Sequence, residues 1–270
     1  MKNIHRHITV TGIAVMVFFL TLICLAANSQ EGYPSRMQKP HYRTVPTQIY
    51  RQRFDPYNLR DGFQPWVSFS IHFDPLISWF STDSYHTRSE GAVPGFDFGI
   101  LQNNYFGPNY SFYSGISIIK AGGRLTNWEP TRFEFKDYYN NSIFTVDPGE
   151  AITYRTSYLS IPLGIKLKSN AIGYGRFFTD LGFAPEIVIK SRADIPSLHI
   201  YGGNASPELN RFNLSFHIMA GMEYPLAGNN DFIFGIGFDN NLFDITRDNG
   251  DQPTNVVTQK MVLFRLGMTF

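Results

Sequence analysis

The chain of 270 residues contains a single cysteine, Cys24. A mature form lacking Cys24 has no disulfide and no thiolate metal site. Charge is scarce as well. Lys, Arg, Asp and Glu make up 17% of the sequence, against about 25% in ordinary soluble domains. The charges almost cancel, to +1, so bulk charge implies neither a nucleic acid nor a strongly acidic partner. Beyond the N-terminus, no stretch approaches the roughly 20 apolar residues of a membrane helix, and mean hydropathy is only −0.17. What the chain does have is aromatic: 16% of its residues, with 25 phenylalanines. Few charges, many aromatics and no helix-length run suit a membrane β-barrel, whose apolar residues are diluted one in two by the alternation of a strand.

The N-terminus is the exception. Lys2, His5, Arg6 and His7 precede an uncharged run from Ile8 to Ala27, and "ANSQ" follows. A charged start, an apolar middle and a small-residue exit predict a secretory signal over 1–29, cut after Ser29, with Ala26 and Ala27 as other cleavage positions. An uncleaved membrane anchor is the alternative. Bulky Ile23 before Cys24 argues against a lipoprotein.

Residues 30–65 carry Arg36, Lys39, Arg43, Arg51, Arg53 and Arg60 against Glu31, Asp55 and Asp61, punctuated by five prolines from Pro34 to Pro65. No period persists, so this segment reads as a periplasmic arm or linker. It is either an inert solvated tether or a docking peptide for a periplasmic protein partner or for peptidoglycan.

From residue 66 onward, alternation recurs eight times. Val67, Phe69, Ile71 and Phe73 alternate with Ser68, Ser70 and His72. Similar strands run over Phe96–Ile100, Phe112–Ile118, Leu159–Leu167, Phe177–Phe183, Leu214–Met222 and Phe232–Phe238. The last ends the chain: Val262, Phe264, Leu266, Met268 and Phe270 share one face, Leu263, Arg265, Gly267 and Thr269 the other. An even number of strands fits a bacterial single-chain barrel. The links alternate too. Those at 74–94, 126–151, 190–210 and 240–256 are long, while 103–109, 169–175 and 225–230 are short. Long loops on one rim and short turns on the other predict extracellular loops and both barrel termini in the periplasm of an outer-membrane protein.

Alternation does not by itself say which face points outward. A soluble barrel would put the apolar face inside and its charges outside. Here the other face is mostly Gly and Ser with isolated charges, too sparse to solubilise an exterior. The expected fold is therefore all-β, an eight-stranded antiparallel up-and-down transmembrane β-barrel over 66–270. The narrow lumen then receives Asp97, Lys166, Asp180, Glu223, Asp239 and Arg265, with His72 and His217. Their mixed signs predict a paired charge network around Lys166 and Arg265.

The stretches "YLSIPLGIKLKSNAIGYGRFFTDLGFAPEIVIKSRAD" (158–194), "GMEYPLAGNNDFIFGIGFDNNLFDI" (221–245) and "LFRLGMTF" resemble the PorT-like outer-membrane β-barrel family of Bacteroidota. The resemblance covers about 66–270 and implies this fold and an outer-membrane location. The family takes its name from a protein needed for type IX secretion. The resemblance also implies that Phe264, Leu266, Met268 and Phe270 form a C-terminal signal read by the barrel-insertion machinery.

Chemistry is thinly marked. Ser215 and His217 stand two apart on one strand face, where a hydroxyl can meet a base, but no acid is placed beside them by spacing and the face is the luminal one. His41, His72, His86 and His199 show no paired metal-ligand spacing. Gly122-Gly123-Arg124 lacks the length and the Lys-Ser/Thr of a phosphate loop. No catalytic, metal or cofactor residue is assigned. The expected role is a non-enzymatic anchor or interaction scaffold in an envelope assembly, with secretion as one setting. A small porin-like or substrate-binding barrel is the alternative, and a lipid-modifying outer-membrane enzyme the third reading. Outer-membrane lipid is the expected surrounding partner.

Overall fold

The computed structural model describes residues 66–136, 141–226, 230–247 and 256–270. The signal expected at 1–29 and the arm expected at 30–65 lie outside the described residues. Eight antiparallel strands form a ring: β1 (Val67–Thr82), β2 (Val93–Gly107), β3 (Tyr110–Asn127), β4 (Ala151–Ser160 continued by Leu163–Lys168), β5 (Arg176–Ile195), β6 (Phe212–Pro225), β7 (Asp231–Asn241) and β8 (Val257–Thr269). Each pairs with the next, and β8 returns to β1 with Ser70 opposite Thr269 and Leu76 opposite Leu263. Phe270 closes the seam, donating its N–H to Phe69 O at 2.8 Å and accepting the Phe69 N–H at 3.0 Å. Phe270 is thus held by the first strand, which suppresses fraying at that position.

The alternation sorts the two faces. Phe69, Ile71, Phe73, Phe234, Phe264 and Leu266 are exposed on the outside, while Ser70, His72 and Asp74 beside them are buried within. So continuous an apolar exterior is stable only against lipid. No helix among the described residues is long and apolar enough to cross a membrane; the crossing is made by strands.

Three features depart from the sequence reading. Strand β1 runs on to Thr82 and β2 starts at Val93, so much of the link read at 74–94 is strand. Outward Pro75 and inward Leu76 and Phe80 break the polar-in, apolar-out rhythm that marks the strand. Second, β4 breaks at Ile161-Pro162, since proline has no N–H for the ladder. Both halves still pair with β3 and β5. Third, the long links hold structure of their own: a hairpin of Thr131–Lys136 and Asn141–Val146, and Ile200–Asn204 paired to β5.

Those links also seal the long-loop end. Phe80, Leu125, Tyr154, Ile195 and Val257 from five barrel strands pack with Phe133, Val146, Ala205, Leu209 and Ile245 from the loops. Phe133 is 1% exposed, and its ring centroid lies 6.0 Å from that of Tyr154. The short turn Ser206–Glu208 ties this cap together, because Glu208 Oε1 accepts the Glu134 N–H at 2.7 Å. Burial pushes the Glu208 carboxyl up to about 6, against the opposing pull of that N–H.

Candidate functional site

The lumen contains the groups with chemical potential, and the pleat delivers them: every second residue of each strand points inward. One chain of charges crosses it. Lys168 Nζ lies 2.6 Å from Glu223 Oε2 and 2.7 Å from Tyr105 Oη. Lys166 Nζ donates to Glu223 Oε1 at 3.4 Å and sits 3.8 Å from Asp180 Oδ2. The same Asp180 oxygen is 3.6 Å from Arg265 Nη1. Arg265 in turn grips Asp74, with Nη2 at 2.8 Å and Nε at 3.0 Å from Oδ2. His72 Nε2 completes the row, 3.4 Å from Asp97 Oδ2 and 4.0 Å from Asp74 Oδ2. Six strands contribute, and Asp74 and Asp180 are wholly buried.

Glycines make this packing possible. Gly164 and Gly182 face each other across β4 and β5. A Cβ on either would stand 2.5 Å from the Tyr113 hydroxyl, so the pair of bare backbones leaves room for the Tyr113 ring in the middle of the lumen.

Of the six charges expected to form one network, Lys166, Asp180, Glu223 and Arg265 are linked directly. Asp97 joins only through His72, and Asp239 stands apart, opposite His217 and hydrogen-bonded to its Nδ1. Glu186 is another buried carboxylate, accepting the Asn241 amide at 3.2 Å. The expected network omitted Asp74, Lys168 and Glu186. Lys168 shares the inward parity of Lys166, and Asp74 lies two residues beyond His72, so continuing that alternation one step would have found it. The terminal set behaves differently: Phe264, Leu266, Met268 and Phe270 are 44–54% exposed on the outer face.

Asp239 supplies the acid that spacing did not place beside Ser215 and His217. The serine hydroxyl, however, donates to Ala184 O at 3.4 Å and is fully buried, a poor position for attack on any substrate. His72, Asp74 and Asp97 are the described cluster with ligand atoms close enough for a metal, all within 4.8 Å. Asp74 already binds Arg265 through both guanidinium donors, and that fixed positive charge opposes a cation at the same oxygen.

Residues 62–247 match the family described as outer membrane protein beta-barrel domain. No curated protein matches the sequence significantly. Similar solved structures include Ail, the attachment invasion locus protein of Yersinia pestis, with 14% identity and TM-score 0.37 over 76% of this chain and 99% of that one. Another is OprG from Pseudomonas aeruginosa, with 9% identity and TM-score 0.41 over 75% and 94%. A third is the outer membrane protease OmpT from Escherichia coli, with 6% identity and TM-score 0.35 over 76% and 96%. Likeness at this level carries nothing about activity.

Proposed function

Because the chain belongs to the family of outer membrane proteins with a β-barrel domain, we propose that it is a closed, non-enzymatic barrel acting as an anchor or interaction scaffold in an envelope assembly. The observation that carries this reading is the filled interior. Buried ion pairs occupy the lumen, and an apolar cluster occupies its mouth at the long-loop end. Eight strands enclose a space just wide enough for side chains, and these groups filling it favour a closed lumen over a solute path. A selective pore would instead present a ring of one sign. The burial of Ser215 argues against the hydrolytic reading.

On this reading the surfaces available for function are outside the lumen: the long loops facing the medium, and the segment 30–65 reaching into the periplasm toward a protein partner. The resemblance to PorT-like barrels favours a secretion-related assembly, with the barrel-insertion machinery reading the terminal strand. Cross-linking in intact cells, followed by mass spectrometry of what co-purifies, tests the scaffold role. The expected result is a discrete envelope partner joined through 30–65 or a long loop. Steady ohmic conductance of the pure protein in a planar bilayer would overturn the proposal in favour of the porin-like alternative.

A further inference from the structure

Toward the long-loop end, the outer wall of β3, β4 and β5 changes character within one residue step. Ile118, Leu159 and Ile187 stand side by side as the last apolar row. The next outward row is Lys120, Ser157 and Lys190, the one above it contains Arg155 opposite Arg192, and the third contains Arg124, Thr153 and Asp194. All five bases are exposed. Two residues advance a strand by about 6.6 Å, and strands tilted 35–45° turn that into about 5 Å of height. The first two rows, about 5 Å apart in height, therefore fit the headgroup layer, which adds roughly 5–7 Å on each side of the hydrocarbon core, and the third stands above it.

The backbone is built to present them there. Strand β5 carries a bulge: Val188 faces Tyr158 and Lys190 faces Ser157, so Ile189 is the extra residue. Before the bulge, even-numbered residues such as Asp180 and Glu186 point inward and are buried; after it, Lys190 and Arg192 point out while Ser191 and Ala193 are buried. An inserted residue reverses the faces of everything beyond it. Arg155 and Arg192, placed directly opposite, repel unless an anion lies between them. Asp194 answers only one of these charges, lying 2.7 Å from Arg155 Nη1. Among the described residues no carboxylate pairs with Lys120, Lys190 or Arg192, and Lys120 Nζ rests 5.2 Å from the Phe96 ring centroid. A groove of about 430 Å³ on this wall is lined by Pro94, Phe96, Lys120, Arg155, Lys190 and Arg192, a volume within the range of ligand sites.

We propose that this groove binds the phosphate-bearing headgroup of an anionic glycolipid in the outer leaflet, whose acyl chains run down over Ile118, Leu159 and Ile187. Guanidinium forks suit phosphate oxygens, and the apolar row below suits the chains. The inference rests on the long loops facing the medium. Native mass spectrometry of the purified barrel tests it, with diphosphoryl lipid A, dephosphorylated lipid A, phosphatidylethanolamine and inorganic phosphate as probes. The wild type should retain lipid A, and the Arg155→Gln/Lys190→Gln/Arg192→Gln variant should retain it roughly tenfold less or weaker. Lys260→Gln, on the far side of the ring, should behave as wild type, and heat-modifiable migration reports that each variant is folded. Equal retention by the triple variant, or equal retention of phosphatidylethanolamine by the wild type, overturns the groove. Displacement of lipid A by millimolar inorganic phosphate would point to a free anion and overturn the lipid source. Maleimide labelling of loop cysteines on whole cells reads the orientation separately. Reversed labelling overturns the outer-leaflet assignment, whereas normal labelling with equal retention overturns the groove alone.

Discussion

Replacing Arg265 with alanine is the sharpest perturbation of the lumen. The guanidinium is 5% exposed, and it holds Asp74 at 2.8 Å and Asp180 at 3.6 Å, both fully buried. After its removal Asp180 keeps Lys166 at 3.8 Å, whereas Asp74 is left with His72 at 4.0 Å. The loss therefore falls mainly on Asp74, a fully buried carboxylate left without a full partner. Removing one member of a buried pair costs about 3–5 kcal/mol. Urea unfolding in lipid vesicles, followed by the fluorescence of Trp66, Trp79 and Trp128, measures it. Asp74→Asn on the Arg265→Ala background should recover about 2 kcal/mol, because the stranded charge is gone, and a double-mutant cycle isolates that coupling. An Arg265→Ala barrel as stable as wild type, or a cycle with no coupling, would refute the reasoning that these ions hold the lumen together.

Three further expectations address topology, surface and cap. Cysteines in place of Tyr85 and Tyr201, 97% and 71% exposed in long links, should react with impermeant maleimide on whole cells, and one in place of Tyr174 in the short turn 169–175 should not; reversed labelling would invert the orientation. Phe264→Arg, on the outer face opposite Ile236, should cost about 2–4 kcal/mol near the bilayer midplane, and unfolding at the wild-type urea concentration would contradict the assignment of that face to lipid. Glu208 has a raised carboxyl, about 6 against 4.5, so folding favours its protonated form. The cap is then most stable below pH 4.5 and loses up to about 2 kcal/mol as pH rises through 6. Hydrogen exchange in the 131–146 hairpin should quicken from pH 4.5 to 7 once corrected for intrinsic rates, and Glu208→Gln should flatten that difference.

The barrel was legible because its defining signal is periodic and local. Each of the eight strands announced itself where three or more outward residues were large and apolar, as from Phe232 to Phe238, and the long-short order of the links followed from the gaps. Legibility failed where the period weakened. Pro75 on the outer face and Leu76 and Phe80 on the inner one blur the alternation of β1, and Pro162 interrupts the ladder without ending the strand. The cap was hidden for a different reason. Phe133, Ala205 and Ile245 are far apart in sequence and lie in irregular segments, and only the closed ring brings them together.

The charged lumen shows where sequence reasoning stops and geometry begins. Inwardness is a parity, so Asp97, Lys166, Asp180, Glu223, Asp239 and Arg265 could be named one strand at a time. Partnership depends on stagger between strands, which no single strand encodes. Asp239 shares its parity with Glu223, yet the register of β6 and β7 sets it opposite His217 and away from Lys166. The same dependence governs the outer wall. A parity count carried up β5 from Asp180 would place Lys190 and Arg192 in the lumen, beside Glu186, as two more members of the network. The single extra residue at Ile189 sends them outside instead. Two cations that would have balanced the excess of buried carboxylates are thereby spent on the membrane surface, where Arg155 already repels them. The like charges this gathers on the outer wall repel one another wherever no anion lies between them, which is the physical case for the phosphate proposed at that wall.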